Sequence, residues 1–153
     1  MSIIGFPEVV DERAARTVAT GVVVLTALAL ATRWPVVVAL LVVGFAARVL
    51  SGPRFSPLAL LATRVVVPRL HGAPRPVAGT PKRFAQAMGL TFSSVALVLL
   101  LVDASTAALV VLTMLLVAAG LEASIGLCLG CKVFALLARA GIVDADDCER
   151  CVA

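Results

Sequence analysis

Charge is distributed along this chain so that four long stretches are almost free of it: residues 14–32, 35–50, 84–102 and 105–126. At 1.5 Å per residue, about 20 helical residues cross the roughly 30 Å hydrocarbon layer of a bilayer. Three of the runs approach that length. The second is shorter and predicts a helix that reaches further by letting Arg48 snorkel from its end. Only Arg33-Trp34-Pro35 divides the first two runs, and only Asp103-Ala104 the last two, so each pair predicts a helical hairpin. Trp34 suits a membrane interface, and Pro35 suits the first turn of a helix. The expected fold is an all-α integral membrane protein with four transmembrane helices in a single domain, 1–153. A loop, 51–83, follows the first hairpin, and a tail, 127–153, follows the second.

The halves echo one another at an offset of 74 residues. "RVLSGPRFSPLALLATR" from Arg48 matches "EASIGLCLGCKVFALLAR" from Glu122, placing Gly52 on Gly126, Arg48 on Glu122, and Ser56-Pro57 on Gly130-Cys131. Each hairpin is then followed by a short interfacial amphipathic helix, and Ser56-Pro57 reads as an N-cap and first-turn proline. Both hairpins start on the same side, so the repeat is parallel. Arg48 and Glu122 become candidates for a charge pair across its axis, because an unpaired charge inside a bilayer is costly and intramembrane ionisable residues mark functional sites. Thr17, Thr91, Ser93, Ser94 and Thr113 are expected to satisfy neighbouring helices.

Of the 13 Lys and Arg residues, 12 fall in the amino end, the 51–83 segment and the carboxyl end, together with the adjoining helix ends; Arg33 is the exception. The positive-inside rule therefore places both termini in the cytoplasm of a bacterial cell, with the chain in the inner membrane. Ala27-Leu28-Ala29 resembles a signal-peptidase site, but Glu8, Asp11 and Glu12 stand where a basic n-region would be required. His71 lies in the Pro/Gly-rich "HGAPRPVAGTPKR" with no second histidine nearby, and reads as solvated.

Composition supports the membrane reading, with 61% hydrophobic and 14% charged residues against the roughly 45–50% apolar usage of soluble domains. The net charge of +4 is spaced beside apolar runs and is not clustered on a polar face. It points to the lipid bilayer as partner, not to nucleic acid. There is no nucleotide-binding glycine loop, serine triad or histidine-rich metal site.

All four cysteines fall in C-x2-C pairs, Cys128/Cys131 and Cys148/Cys151. Spacing C-x2-C-x16-C-x2-C fits a four-thiolate structural zinc site, with Cys128, Cys131, Cys148 and Cys151 as ligands of a non-enzymatic scaffold. It equally fits dithiol chemistry. A helix starting near Cys131 would put Cys128 just ahead of a helix N-terminus, where the dipole and Lys132 favour the thiolate. Arg54, level with Cys128 in the other half, would be a second cation or an anchor for an anionic sulfur substrate. The tail pair sits among Asp144, Asp146, Asp147 and Glu149, which raise thiol pKa values, so a reactive pair and a less acidic pair suit relay of electrons or sulfur. A third reading is a small transporter of sulfur oxyanions guided by Arg48 and Arg54, which would have to form a homo-oligomer to enclose a pore.

The segments "FPEVVDERAAR", "SGPRFSPLALLATR", "GTPKRFAQAMGLTFS" and above all "LEASIGLCLGCKVF" with a late CxxC resemble, over nearly the whole chain, an uncharacterised bacterial family of small four-helix membrane proteins, a domain of unknown function (DUF4395). The resemblance implies association with thioredoxin-like proteins and rhodanese-type sulfurtransferases, and hence thiol or sulfane-sulfur chemistry. In that reading Cys128 is the nucleophile, Cys131 the resolving thiol, and Cys148 with Cys151 the relay pair.

Overall fold

The computed structural model describes residues 8–52, 55–70 and 72–143. Its helices are α1 (Glu12–Thr32), α2 (Pro35–Ser51), α3 (Pro57–Leu61), α4 (Gly79–Leu101), α5 (Ser105–Ile125) and α6 (Leu129–Arg139), and two short strands, β1 (Val9–Asp11) and β2 (Pro76–Ala78), pair antiparallel. Among the described residues α1, α4 and α5 are long and apolar enough to cross a membrane, while α2 is an apolar helix of 17 residues.

The turn between α1 and α2 is two residues long and places Arg33 in the left-handed region (φ 55°), a conformation costing a side-chain-bearing residue about 1–2 kcal/mol. Asp103 does the same (φ 60°) between α4 and α5, and aspartate tolerates it better. Turns this tight lay each helix back antiparallel to the one before it. The hairpins then pack crosswise, α1 on α5 and α2 on α4. Val38, Leu41, Ala96, Ala108 and Leu112 fill the middle of the bundle, and Val24, Leu40, Val43, Val98, Val110 and Val117 point outward. Apolar outer faces of this kind fit contact with a lipid bilayer.

One end of the bundle holds the polar ties. Arg16 donates to the carbonyls of Ala123 (3.2 Å) and Ser124 (2.6 Å), joining the start of α1 to the end of α5. Arg83 donates to the Val49 carbonyl (3.2 Å), joining α4 to α2. The two strands fasten the segment before α1 to the segment before α4. Arg33 stands at the opposite end.

Three expectations need correction. Thr17, Thr91, Ser93 and Thr113 donate to carbonyls four residues back in their own helices, so they satisfy themselves and not their neighbours. The third apolar segment, expected over 84–102, belongs to a helix that begins at Gly79: Pro81 is tolerated in its first turn because the missing N–H has no helical partner there. The helix after the second hairpin starts at Leu129, not near Cys131. Its N-cap is Cys128 and that of α3 is Ser56, 72 residues apart, whereas the glycines that end the preceding helices, Gly52 and Gly126, are 74 apart. Ser56 occupies the expected cap position before Pro57, but its side chain makes no capping bond.

A dithiol at a helix cap beside a buried charge pair

Helix α5 ends in a glycine-terminated stop. Gly126 adopts the left-handed conformation (φ 74°), its N–H bonds the Glu122 carbonyl, and Leu127 N–H reaches back to Leu121. This six-to-one closure ends a helix while satisfying its last carbonyls, and only glycine adopts the backbone freely. The chain turns at once into α6, with Cys128 as its N-cap. The sulfur of Cys128 accepts from the Cys131 backbone N–H (3.4 Å), taking the part that a serine or aspartate oxygen plays at most caps.

Position 130 lets this turn lie against α4. A Cβ on Gly130 would come within 2.5 Å of the Ala85 Cβ and 2.6 Å of its Cα, so any larger residue would push α6 away. One turn on, Phe134 packs on Phe84 with ring centroids 5.6 Å apart. The first turn of α4 is thereby set beside the cysteines, and it brings Lys82.

Lys82 is the residue that sequence reasoning missed in this role. Its ammonium donates to Glu122 Oε1 at 2.5 Å, with side chains only 8% and 14% exposed. The expected Arg48–Glu122 pair does not form. Arg48, 4% exposed, instead donates through Nε to Gln86 Oε1 (2.9 Å) and lies 4.5 Å from the centre of the Phe45 ring, and its Nη1 has no hydrogen-bond partner among the described residues. The signal was available in the helical stripe Lys82, Gln86, Gly89, Ser93, Ala96, Leu100, whose spacing of three and four puts all six on one face. Reading the loop as extending to Arg83 left Lys82 outside the bundle.

The two thiols are unequal. The Cys131 S–H donates to the Cys128 sulfur, which lowers the Cys128 pKa below the ordinary thiol value and raises that of Cys131. Burial and the Glu122 carboxylate push Cys128 up, while Lys82 and the Cys131 backbone N–H favour its thiolate; the sum is downward. The cation beside the sulfur is therefore Lys82, and Lys132, expected in that place, is exposed on α6. Cys128 is buried and Cys131 half-buried. Arg54, Cys148 and Cys151 lie outside the described residues, as do His71 and the tail acids. Among the described residues no three of His, Cys, Asp and Glu gather as a metal site.

The family described as a domain of unknown function (DUF4395) matches residues 10–139, most of the chain. The chain belongs to the DUF4395 family. The matched region contains both hairpins, Lys82, Glu122 and the Cys128/Cys131 pair, and stops before Cys148. No curated protein and no solved structure matches this DUF4395 chain.

Beneath the cysteines lies a cavity of about 350 Å³ between α1, α2, α4, α5 and α6. Cys128, Glu122, Gln86 and Lys132 stand in its wall, and the remainder is apolar, with Val22, Phe92 and Leu115 among its lining.

Proposed function

We propose that this DUF4395 protein is a membrane dithiol that exchanges electrons or sulfane sulfur with a soluble thioredoxin-like or rhodanese-like partner. The observation that carries this reading is the cap of α6: the Cys128 sulfur accepts the Cys131 backbone N–H and neighbours Lys82. A thiolate held in this way is the attacking species of thiol exchange, and a neighbouring thiol that keeps its proton until needed is the resolving group. With a persulfide donor, the Cys128 thiolate takes the outer sulfur and releases the donor thiolate. Cys131 then displaces hydrosulfide from Cys128 and leaves a disulfide. Cys148 and Cys151 serve as the relay pair.

In this reading α2 crosses the bilayer with the three longer helices, giving four spans in two parallel hairpins. Both termini and both CxxC pairs face the cytoplasm of the inner membrane, by the lysine and arginine count. The alternative, a scaffold whose four cysteines hold one zinc, differs from this reading in metal content, which is measured directly. Transport of sulfur oxyanions is disfavoured, because Arg48 is turned to Gln86 and Phe45.

The test uses the resolving thiol. Cys131→Ser, treated with a small disulfide or persulfide donor, should accumulate a mixed disulfide or persulfide on Cys128, seen by mass spectrometry, and Cys128→Ser should accumulate none at this pair. Stoichiometric zinc in the native protein, with no adduct in Cys131→Ser, would overturn the exchange reading and support the scaffold.

A further inference from the structure

We infer that the cavity beneath Cys128 is a site for a membrane-dissolved quinone, the two-electron acceptor of the dithiol; the inference rests on the dithiol reading above. Three observations converge on it. The cavity, about 350 Å³, lies within the usual size range of small-ligand sites. Its polar residues, Cys128, Glu122, Gln86 and Lys132, stand at one end, and the wall is apolar from there along α5 to Met114. Eight residues of helix separate Glu122 from Met114, so the apolar part runs about 12 Å into the bundle. A guest with a polar ring and a hydrocarbon tail matches that division.

The second observation is access. Cys128 is 8% exposed and lines the cavity, whereas Cys131 is half-buried and is not part of the cavity wall. The sulfur with the lower pKa therefore faces the apolar space, and the other sulfur of the pair is the more open to a protein partner. The third is proton supply: Glu122, in the cavity wall, is hydrogen-bonded to the Lys82 ammonium. Oxidising a dithiol releases two electrons and two protons. Among apolar molecules a quinone accepts both, on oxygens that suit the polar end of this cavity.

The Cys128 thiolate adds to a ring carbon, a C–S bond forms, and the displaced electron pair moves onto a quinone oxygen. That oxygen takes a proton from the Lys82–Glu122 pair through the Glu122 carboxyl. Cys131 sulfur then attacks Cys128 sulfur, the S–S bond forms, and the C–S bond breaks with its electron pair returning to the ring. The Cys131 proton completes the quinol, and Lys82 is left neutral. A protein dithiol attacks the disulfide at Cys131, Cys128 departs as the better leaving group, and the protons of the incoming dithiol restore the Lys82 ammonium.

The experiment uses the full chain in phospholipid vesicles, reduced, freed of reductant and kept anaerobic, with decylubiquinone as probe. One quinol should form per Cys128–Cys131 disulfide, and Cys128→Ser should form none. Ala118→Phe, which places a ring in the cavity wall, should slow quinol formation by roughly tenfold or more. A photoreactive azidoquinone should label residues of 85–92 or 114–122, and decylubiquinone should displace it. No quinol from a protein whose Cys131→Ser variant still forms the Cys128 adduct would overturn the quinone and leave the dithiol reading intact; failure of both would remove both. Displacement of the label by added phospholipid as readily as by decylubiquinone would make the cavity an acyl-chain site and also overturn the inference.

Discussion

Replacing Lys82 by methionine keeps the length of the side chain and removes its charge, leaving the Glu122 carboxylate inside the bundle without its partner. The nitrogen and oxygen are 2.5 Å apart and the side chains 8% and 14% exposed, which makes this a buried pair and not a surface one. Removing one member of such a pair costs about 3–5 kcal/mol. For a chain of this size that corresponds to a fall of roughly 6–20 °C in Tm, read by thermal unfolding of the purified protein. Lys82→Met with Glu122→Leu should recover most of it, because no buried charge is left. Arg48→Met is the comparison: Glu122 keeps Lys82 in that variant and one unpartnered Nη1 is removed, so the loss should be less than half as large. The same variants report on the cysteine. Lys82 favours the Cys128 thiolate and Glu122 opposes it, so the pH at which alkylation of Cys128 by iodoacetamide rises should move up in Lys82→Met. Adding Glu122→Leu should bring it back to or below the wild-type value. Mild, additive single losses, or a Lys82→Met profile that does not move up, would refute the pair and its link to the sulfur.

Gly130→Val places a side chain against the Ala85 backbone, so it should lower Tm and weaken the packing of Phe134 on Phe84, and it should slow alkylation of Cys128 at neutral pH as α6 and Lys82 separate. The reduced protein should show a stability maximum in pH, measured by thermal unfolding. Cys128, with its folded pKa lowered from 9.0, contributes stability that is lost as pH falls through the folded value. Cys131, with its folded pKa raised, makes stability fall as pH climbs above the ordinary thiol value, and Cys131→Ser should abolish that alkaline limb. In intact cells, cysteine-free variants with one new cysteine beside Arg75 should resist an impermeant maleimide, and one beside Asp103 should react; the opposite pattern would reverse the proposed orientation.

The helices were legible because each is a long apolar run with a short polar interruption, and the two tight turns admit only antiparallel pairs. Legible too was a place for Cys128 just ahead of a helix, since a glycine stop and a CxxC pair are local signals, but the offset of 74 put the cap at Gly130 and not at Cys128. Chemistry carried by tertiary approach was not. The repeat aligned Arg48 with Glu122 and suggested that they meet, but a repeat fixes equivalence and not contact. Contact depended on where α4 begins: five residues of Gly79 to Arg83, read as loop, form its first turns and deliver Lys82 to Glu122. Lys132 is the cation expected beside the sulfur because it is near in sequence, yet a helix points successive residues about 100° apart and leaves it exposed.

The difference between the two halves shows where the chemistry arises. Both hairpins end in a glycine cap, Gly52 and Gly126, and both are followed by a helix whose N-cap is a small polar residue, Ser56 or Cys128. Ser56 is wholly buried, and its hydroxyl has no hydrogen-bond partner among the described residues. Cys128, at the cap of α6, accepts the Cys131 backbone N–H and has Lys82 and Glu122 for neighbours. A serine hydroxyl stays protonated under any ordinary condition, so its cap serves only to place the helix. A thiol titrates within reach of neutral pH, so the same cap geometry, with a donor and a cation added, can shift a charge. Serine at 128 should therefore preserve α6 and the fold of the second hairpin while removing every reaction ascribed to the pair. A Cys128→Ser protein that unfolds would instead mean that the sulfur is there for packing.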